Sequence, residues 1–293
     1  MTVRITALID PDVGAVGRRL AWLASDGDGI PVGSAFLRLF TGAGQAHLAE
    51  LDLQVHPAQR RKRVGSCLLD AAVAAARQDC RRSIIAQAEA QSPGEKFAAA
   101  HGFRPVLALI YSRLDLADAD VPALTAIVDE PHPGYHLVSW PGTVPDEFAE
   151  TFAASRRAMD DMPMGSTDFG TVTWDVARVR ATAAAIDKRG DLLHTVAAVS
   201  DVDTTIAGFS ELVVPGDAAG DAQHYGTAVL PEHRGHGLGR WMKASAILQA
   251  RESYPELAGL LTDTADTNKP MRGINDALGY VPTHTTYEYQ LDL

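Results

Sequence analysis

Apolar and polar positions along this chain recur at two periods, and the switches between them mark alternating strands and helices. In the first half the pattern predicts a helix over Asp12–Ala24 and strands over Gly33–Phe40 and Ala46–Val55. A helix over Val64–Gln78 follows, then strand, helix and strand over Ser83–Ala88, Glu95–His101 and Ala108–Leu114. The second half repeats this order. It predicts strands over Leu193–Val199, Ile206–Val213 and His224–Val229, a helix over Leu238–Ala250, then Leu260–Thr264, Met271–Leu278 and Thr285–Leu291 as strand, helix and closing strand. Between the halves, Asp118–Gly134 carries Pro122, Pro131 and Pro133, which oppose helix and predict an extended linker.

One strand-to-helix switch carries chemistry. Val229-Leu230-Pro231-Glu232-His233-Arg234-Gly235-His236-Gly237-Leu238-Gly239-Arg240 spaces three glycines between a strand end and an apolar helix start. Glycine lets the backbone turn sharply and approach an anion, while the helix beginning near Leu238 presents unpaired N–H groups at its positive end. Arg234 and Arg240 add charge, so the segment predicts a pyrophosphate cradle rather than an ordinary surface turn. A dinucleotide fingerprint does not fit, because Arg240 stands where its third glycine belongs. A Walker loop does not fit either, since no Gly-Lys-Ser/Thr follows.

The same grammar occurs earlier. Val55-His56-Pro57-Ala58-Gln59-Arg60-Arg61-Lys62-Arg63-Val64-Gly65-Ser66 aligns without a gap with the segment 174 residues later. Pro93 matches Pro270, and Gly102-Phe103 matches Gly279-Tyr280, both at a spacing of 177. An internal repeat of this length predicts two domains, over residues 1–117 and 135–293, joined by residues 118–134. The copies differ: Arg61 and Arg63 replace Gly235 and Gly237, Gln91 replaces Asn268, Ala98 replaces Asn275 and Leu37 replaces Glu211. The first copy is therefore expected to be degenerate and to support the second, with residual binding left to Gly65 and the charges of Arg60–Arg63.

The cradle resembles the signature of the GNAT acetyltransferase superfamily, Arg/Gln-x-x-Gly-x-Gly/Ala after a strand end. Thr264–Met271 and Ile274-Asn275-Asp276-Ala277-Leu278-Gly279-Tyr280 are similar to that superfamily's Asn-x-x-Ala and Leu-Gly-Phe/Tyr segments. The tandem layout is similar to that of mycothiol synthases and other two-domain acetyltransferases. The resemblance implies an α/β (α+β) chain of two consecutive GNAT folds, each a mixed, mostly antiparallel sheet with a splayed parallel strand pair, flanked by helices. It implies acetyl-CoA as co-substrate in a wedge between the strands ending near Val229 and Thr264, and direct attack on the thioester by the primary amine of a small molecule. Val229, Leu230, Arg234, Gly235, His236, Gly237, Leu238, Gly239, Arg240, Asn268 and Asn275 are the expected cofactor contacts. The backbone at Val229 and Leu230 would extend the pantetheine arm by strand-like hydrogen bonds and polarise the acyl carbonyl. Asn268 could equally cap a helix.

An attacking amine must shed a proton. Glu211 is the first candidate base, with a solvent-facing strand glutamate as the alternative reading; His224 and Tyr225 are further candidates. Many members of the superfamily place a tyrosine acid four residues before the Gly of Leu-Gly-Tyr, where this chain has Asn275; Tyr280, Tyr287 or Tyr289 are the substitutes considered. Met159-Asp160-Asp161-Met162-Pro163-Met164-Gly165 is a candidate acceptor wall, its carboxylates suited to a cationic amine, or else a plain acidic loop. A non-catalytic acyl-CoA sensor or scaffold is the competing function class.

Composition agrees with two ordinary cores: 293 residues, of which 46% are hydrophobic. The first residues show no signal-peptide core, no apolar run is long enough for a bilayer, and Cys67 and Cys80 suit neither a disulfide framework nor a zinc site. A cytoplasmic protein without metal, monomeric or homodimeric, is expected. The net charge of −11 and the lack of aromatics within Arg60–Arg63 argue against a nucleic-acid partner.

Overall fold

The computed structural model describes residues 3–9 and 17–293. They form two compact units. The first takes the described residues of Met1–Ala108 together with Met164–Thr173 and Thr285–Leu293; the second takes Leu109–Pro163 and Trp174–His284.

In the first unit, β1 (Arg4–Ile9), β2 (Arg18–Ser25), β3 (Pro31–Leu39) and β4 (Leu48–Val55) pair antiparallel in succession. Helix α1 (Val64–Gln78) then returns the chain to β5 (Ser83–Glu89), which lies parallel to β4, and α2 (Pro93–Ala100) follows. The helix expected over Asp12–Ala24 is not formed over residues 18–24, and residues 12–16 of that expectation lie outside the described residues. Leu20, Trp22 and Ala24 face one core at alternate positions, a period of two that belongs to a strand.

β6 (Arg104–Asp115) begins in the first unit and ends in the second. The segment expected as an extended linker contains α3 (Val121–Asp129). Asp120 caps it by accepting from the Ala123 amide at 3.0 Å, and Pro122 sits in the first turn, where a missing N–H costs nothing. β7 (Tyr135–Pro141), α4 (Asp146–Ser155) and α5 (Val176–Lys188) precede the second cradle sheet. That sheet consists of β8 (Leu192–Ser200), β9 (Ile206–Val214) and β10 (Gly220–Val229), antiparallel with β7 at its edge. Helix α6 (Leu238–Ser253) leads to β11 (Leu257–Ala265), parallel to β10, then α7 (Lys269–Ala277) and β12 (Val281–Asp292).

Every residue of β9 is buried, because helices cover both faces of this sheet. Leu238, Met242 and Ala246 of α6 pack on Val196, Ala198 and Ala207, while Phe152 of α4 meets Phe209 from the other side.

The closing strands depart from the consecutive order expected. β6 pairs with β11, from Leu109↔Ala265 to Asp115↔Gly259, and β12 pairs with β5, from Thr286↔Glu89 to Asp292↔Ser83. Each sheet is thus completed by a strand from the other repeat. In each unit the parallel pair is short. β4 and β5 are in register from Leu48↔Ser83 to Leu51↔Ala86, and β10 and β11 from Gly220↔Leu257 to Gln223↔Leu261; beyond these positions the strands part.

Candidate functional site

The cradle follows from backbone geometry at the end of β10. Gly235 and Gly237 take φ of 87° and 74°, a left-handed conformation open to glycine without strain. A Cβ on Gly235 would meet nothing within 4 Å, so its requirement is conformational rather than steric. No described residue accepts a hydrogen bond from the amides of residues 235–240; the cradle's backbone bonds lie outside them, at His233 N to Leu230 O (2.9 Å) and Trp241 N to Gly237 O (3.1 Å). Those amides sit at the N-terminus of a sixteen-residue helix, where the dipole favours an anion.

Arg234 does not project freely. Its Nε donates to the Val229 carbonyl at 3.0 Å, and its two terminal nitrogens donate to Asp161 at 2.5 and 2.8 Å. This guanidinium holds the Asp161 carboxyl below its ordinary range and is itself shifted upward by the same bond. Of the two readings of this loop, the one in which Asp161 faces a cationic acceptor loses that carboxylate, which instead ties the loop to the cradle. Arg157 binds Glu232 similarly, and Arg240 donates to Glu130 at 3.2 Å.

The first unit reproduces this backbone bond for bond. Arg60 Nε donates to the Val55 carbonyl at 3.3 Å, Gln59 N to His56 O at 2.8 Å and Cys67 N to Arg63 O at 3.0 Å. Arg61 and Arg63 adopt φ of 64° and 66°, matching the two glycines despite a strain of roughly 1–2 kcal/mol each. The replacements therefore leave the turn intact and change its surface, which now carries exposed arginine side chains. A cavity of about 650 Å³ opens at this unit's wedge, between Leu51, Leu53, Ala86 and Phe97.

Along β10 of the second unit, hydrogen-bonded and non-bonded pairs alternate against β9. The Leu230 amide donates to the Ala207 carbonyl at 2.9 Å, so the N–H of its expected backbone contact with pantetheine is committed within the sheet. By the same alternation, the amides of Val229 and Thr227 point away from β9 into the wedge.

The expected base candidates are not brought together. The Glu211 carboxylate is buried and clamped at both oxygens by Arg156, with Nη1 to Oε2 at 2.8 Å; the alternative of a solvent-facing glutamate fails as well. The Arg156 guanidinium lies 4.5–4.7 Å from the rings of Phe152, Trp174 and Phe209. His224 is 5% exposed and pairs with Leu212, whose side chain packs with α6, and its Nε2 meets the Tyr280 hydroxyl at 2.8 Å. Burial, with the nearby Lys243, pushes its pKa well below the ordinary value, so it is a neutral core histidine rather than a base for an incoming amine. Tyr225, at a register break in β10, is exposed, and its hydroxyl accepts from Arg189 at 2.9 Å.

Asn268 caps α7 by accepting from the Met271 amide at 3.3 Å. Asn275 has both ends of its amide engaged in the interior, correcting its expected place as a direct cofactor contact: Oδ1 accepts from Lys243 Nζ at 2.7 Å and Nδ2 donates to Thr264 Oγ1 at 3.1 Å. Lys243 was not singled out from sequence. Its signal was a cation four residues after Gly239, on the apolar stripe of the cradle helix. It is 1% exposed, and burial pulls its pKa down to about 7. Asp263 was also missed. It stands on β11 beyond the last parallel pair, on the face opposite Thr264, and desolvation holds its carboxyl above the ordinary range although part of the residue is exposed.

Comparison with known proteins agrees with this geometry. Residues 17–105 match the acetyltransferase (GNAT) domain and residues 161–280 the acetyltransferase (GNAT) family. The mycothiol acetyltransferase of Nocardia farcinica is 28% identical over 315 residues, covering 99% of this chain and 97% of the relative. A tandem GNAT protein from the clavulanic acid biosynthesis pathway superposes with a TM-score of 0.79 at 29% identity, covering 95% of this chain and 84% of that one. A GCN5-related N-acetyltransferase from Sphaerobacter thermophilus shares the fold at 14% identity and a TM-score of 0.63, covering 93% and 80%. With a cradle and a parted parallel pair in each unit, and both halves matching the same superfamily, the chain is a tandem GNAT acetyltransferase.

Proposed function

We propose that the second unit is an acetyl-CoA-dependent N-acetyltransferase acting on the primary amine of a small molecule, and that the first unit is a degenerate support. The observation that carries this reading is the run of unpartnered amides from Gly235 to Arg240 at the start of α6, beside a wedge into which the Val229 and Thr227 amides point. The cradle would hold the pyrophosphate, Val229 the pantetheine, and the wedge the thioester. A backbone N–H fixed in that wedge would stabilise the oxyanion that forms when the amine attacks.

Asp263 is the carboxylate best placed to take the amine's proton, since Glu211 is committed to Arg156. The amine class itself rests on the superfamily and on the relative named for mycothiol acetylation.

Calorimetric titration of acetyl-CoA, followed by thiol release over an amine panel, tests the reading. One site is expected, lost in a Gly235→Arg/Gly237→Arg variant that copies the first cradle while the fold is kept. Two equal sites in the parent chain would contradict the division of labour. Binding without CoA release for any acceptor would favour a sensor or scaffold, the reading supported by the burial of Glu211 and His224.

A further inference from the structure

Lys243 is a cation inside the protein without a carboxylate bonded to it. Its Nζ donates to Asn275 Oδ1 and lies 4.7 Å from the centroid of the Tyr280 ring. His224 faces it from β10, and Asp263 acts on it through space from β11. The Tyr280 hydroxyl, whose pKa burial drives upward, stays protonated. Thr264 fixes the Asn275 amide from its other end, so the amide oxygen is aimed at the ammonium.

The fold does not require this cluster. In the first repeat the matching positions are Leu69, Ala98 and Phe103, all buried in an apolar core. The same elements thus pack with hydrocarbon where the second unit keeps Lys243, Asn275 and Tyr280. A buried, uncompensated cation is a cost to folding, and groups of this kind concentrate where chemistry uses them.

Its placement indicates the use. Lys243 is one helical turn beyond Gly239, on the same face of α6; a Cβ on Gly239 would lie 3.8 Å from Val229, whose amide points into the wedge. Asn275 and Thr264 bring the ammonium to β11 where that strand has parted from β10. A thioester entering from the cradle would bring its sulfur to this end.

We propose that Lys243, oriented by Asn275, is the proton donor to the sulfur released from the acyl group. This rests on the acetyl-CoA reading above. Attack by the acceptor nitrogen forms the C–N bond and breaks the C–S bond, whose electron pair stays on sulfur. One ammonium proton of Lys243 passes to that sulfur, giving free thiol and a neutral lysine. The proton shed by the acceptor nitrogen passes to the Asp263 carboxylate and from there to solvent, and Lys243 is reprotonated from water after the thiol departs. A donor titrating near neutral pH suits a thiol leaving group, whose ordinary pKa is about 8.5.

Bound CoA provides the test without an acceptor. The pH at which its thiolate absorbance appears is compared in the parent protein and in Lys243→Leu, with Lys243→Met as a second neutral variant should leucine disturb packing. The thiolate is expected at least about one pH unit lower in the parent. With an acceptor present, kcat falls roughly a hundredfold in the variants, KM for acetyl-CoA stays within about threefold, and the alkaline limb of kcat/KM near pH 7 disappears. Equal thiol titration in parent and variants, or an unchanged alkaline limb, overturns the assignment while leaving acetyl-CoA binding intact. Failure of the parent to bind CoA removes the proposed function and this assignment with it.

Discussion

The Glu211 carboxylate, 6% exposed, shares two hydrogen bonds with an arginine that is itself surrounded by aromatic rings. Removing one partner from such a pair strands the other charge. Glu211→Gln is therefore expected to lower the unfolding free energy by roughly 3 kcal/mol, whereas a double replacement of Arg156 and Glu211 by apolar residues is close to neutral. Urea unfolding of the single and the double variant measures this, and an undiminished midpoint for the single variant would show that the pair contributes little. Asp263→Asn is expected to reduce turnover with acetyl-CoA affinity unchanged, which steady-state kinetics and calorimetry resolve.

Lys243 adds a pH dependence. Its pKa is lowered in the fold from 10.5 to about 7, so the unfolded chain binds the extra proton between those values. The penalty is complete below about pH 7 and relieved as pH rises toward 10.5, so stability rises across that window. His224, also lowered, acts in the same direction at lower pH. Lys243→Leu should raise the thermal midpoint at pH 6 while turnover falls; a lower midpoint would mean that the cluster stabilises the fold.

Among the elements, α7 separates two roles of one residue. Asn268 caps it, so Asn268→Ala should cost about 1 kcal/mol of stability. If capping is its whole contribution, acetyl-CoA affinity is unchanged in the calorimeter; a tenfold loss would assign it a contact with the cofactor. The two cradles make a second comparison at this scale. Their backbone bonds coincide although one uses glycine and the other arginine at the left-handed positions. Repeat alignment made that correspondence legible, because a turn that joins a strand to a helix is specified over a dozen neighbouring residues. α3 was not legible. Pro122 reads as a helix breaker until Asp120 is seen to cap a helix whose first turn tolerates proline, and whose Leu124 and Ile127 pack in the core with Ala244 and Ile247 of α6.

For the whole molecule, the exchange of closing strands sets what can be removed. β12 supplies residues 286–292 as the partner of β5, and Tyr289 is part of the first unit's core. A chain ending at His284 is expected to lose the first unit's cooperative unfolding and to expose an unpaired β5 edge, visible as rapid proteolysis within residues 17–108. Residues 1–117 expressed alone should behave likewise, since they lack that strand. A stable, protease-resistant fragment would show that β5 needs no partner.

The sequence alone determined the repeat, the two glycine- or arginine-bearing turns, most strand and helix positions and a candidate anion site, since each is written in spacings of a few residues and in hydrophobic period. It also brought Glu211, His224 and Asn275 into view as polar groups near that site. Tertiary structure decided what each of them is free to do: Glu211 meets Arg156 across fifty-five positions, Asn275 meets Lys243 across thirty-two, and Asp161 meets Arg234 across seventy-three. It decided as well which sheet each closing strand completes, because the pairing of β6 with β11 and of β12 with β5 joins residues far apart in the chain. Burial, charge partnership and strand exchange depend on residues distant in the chain, and a local pattern holds no record of them.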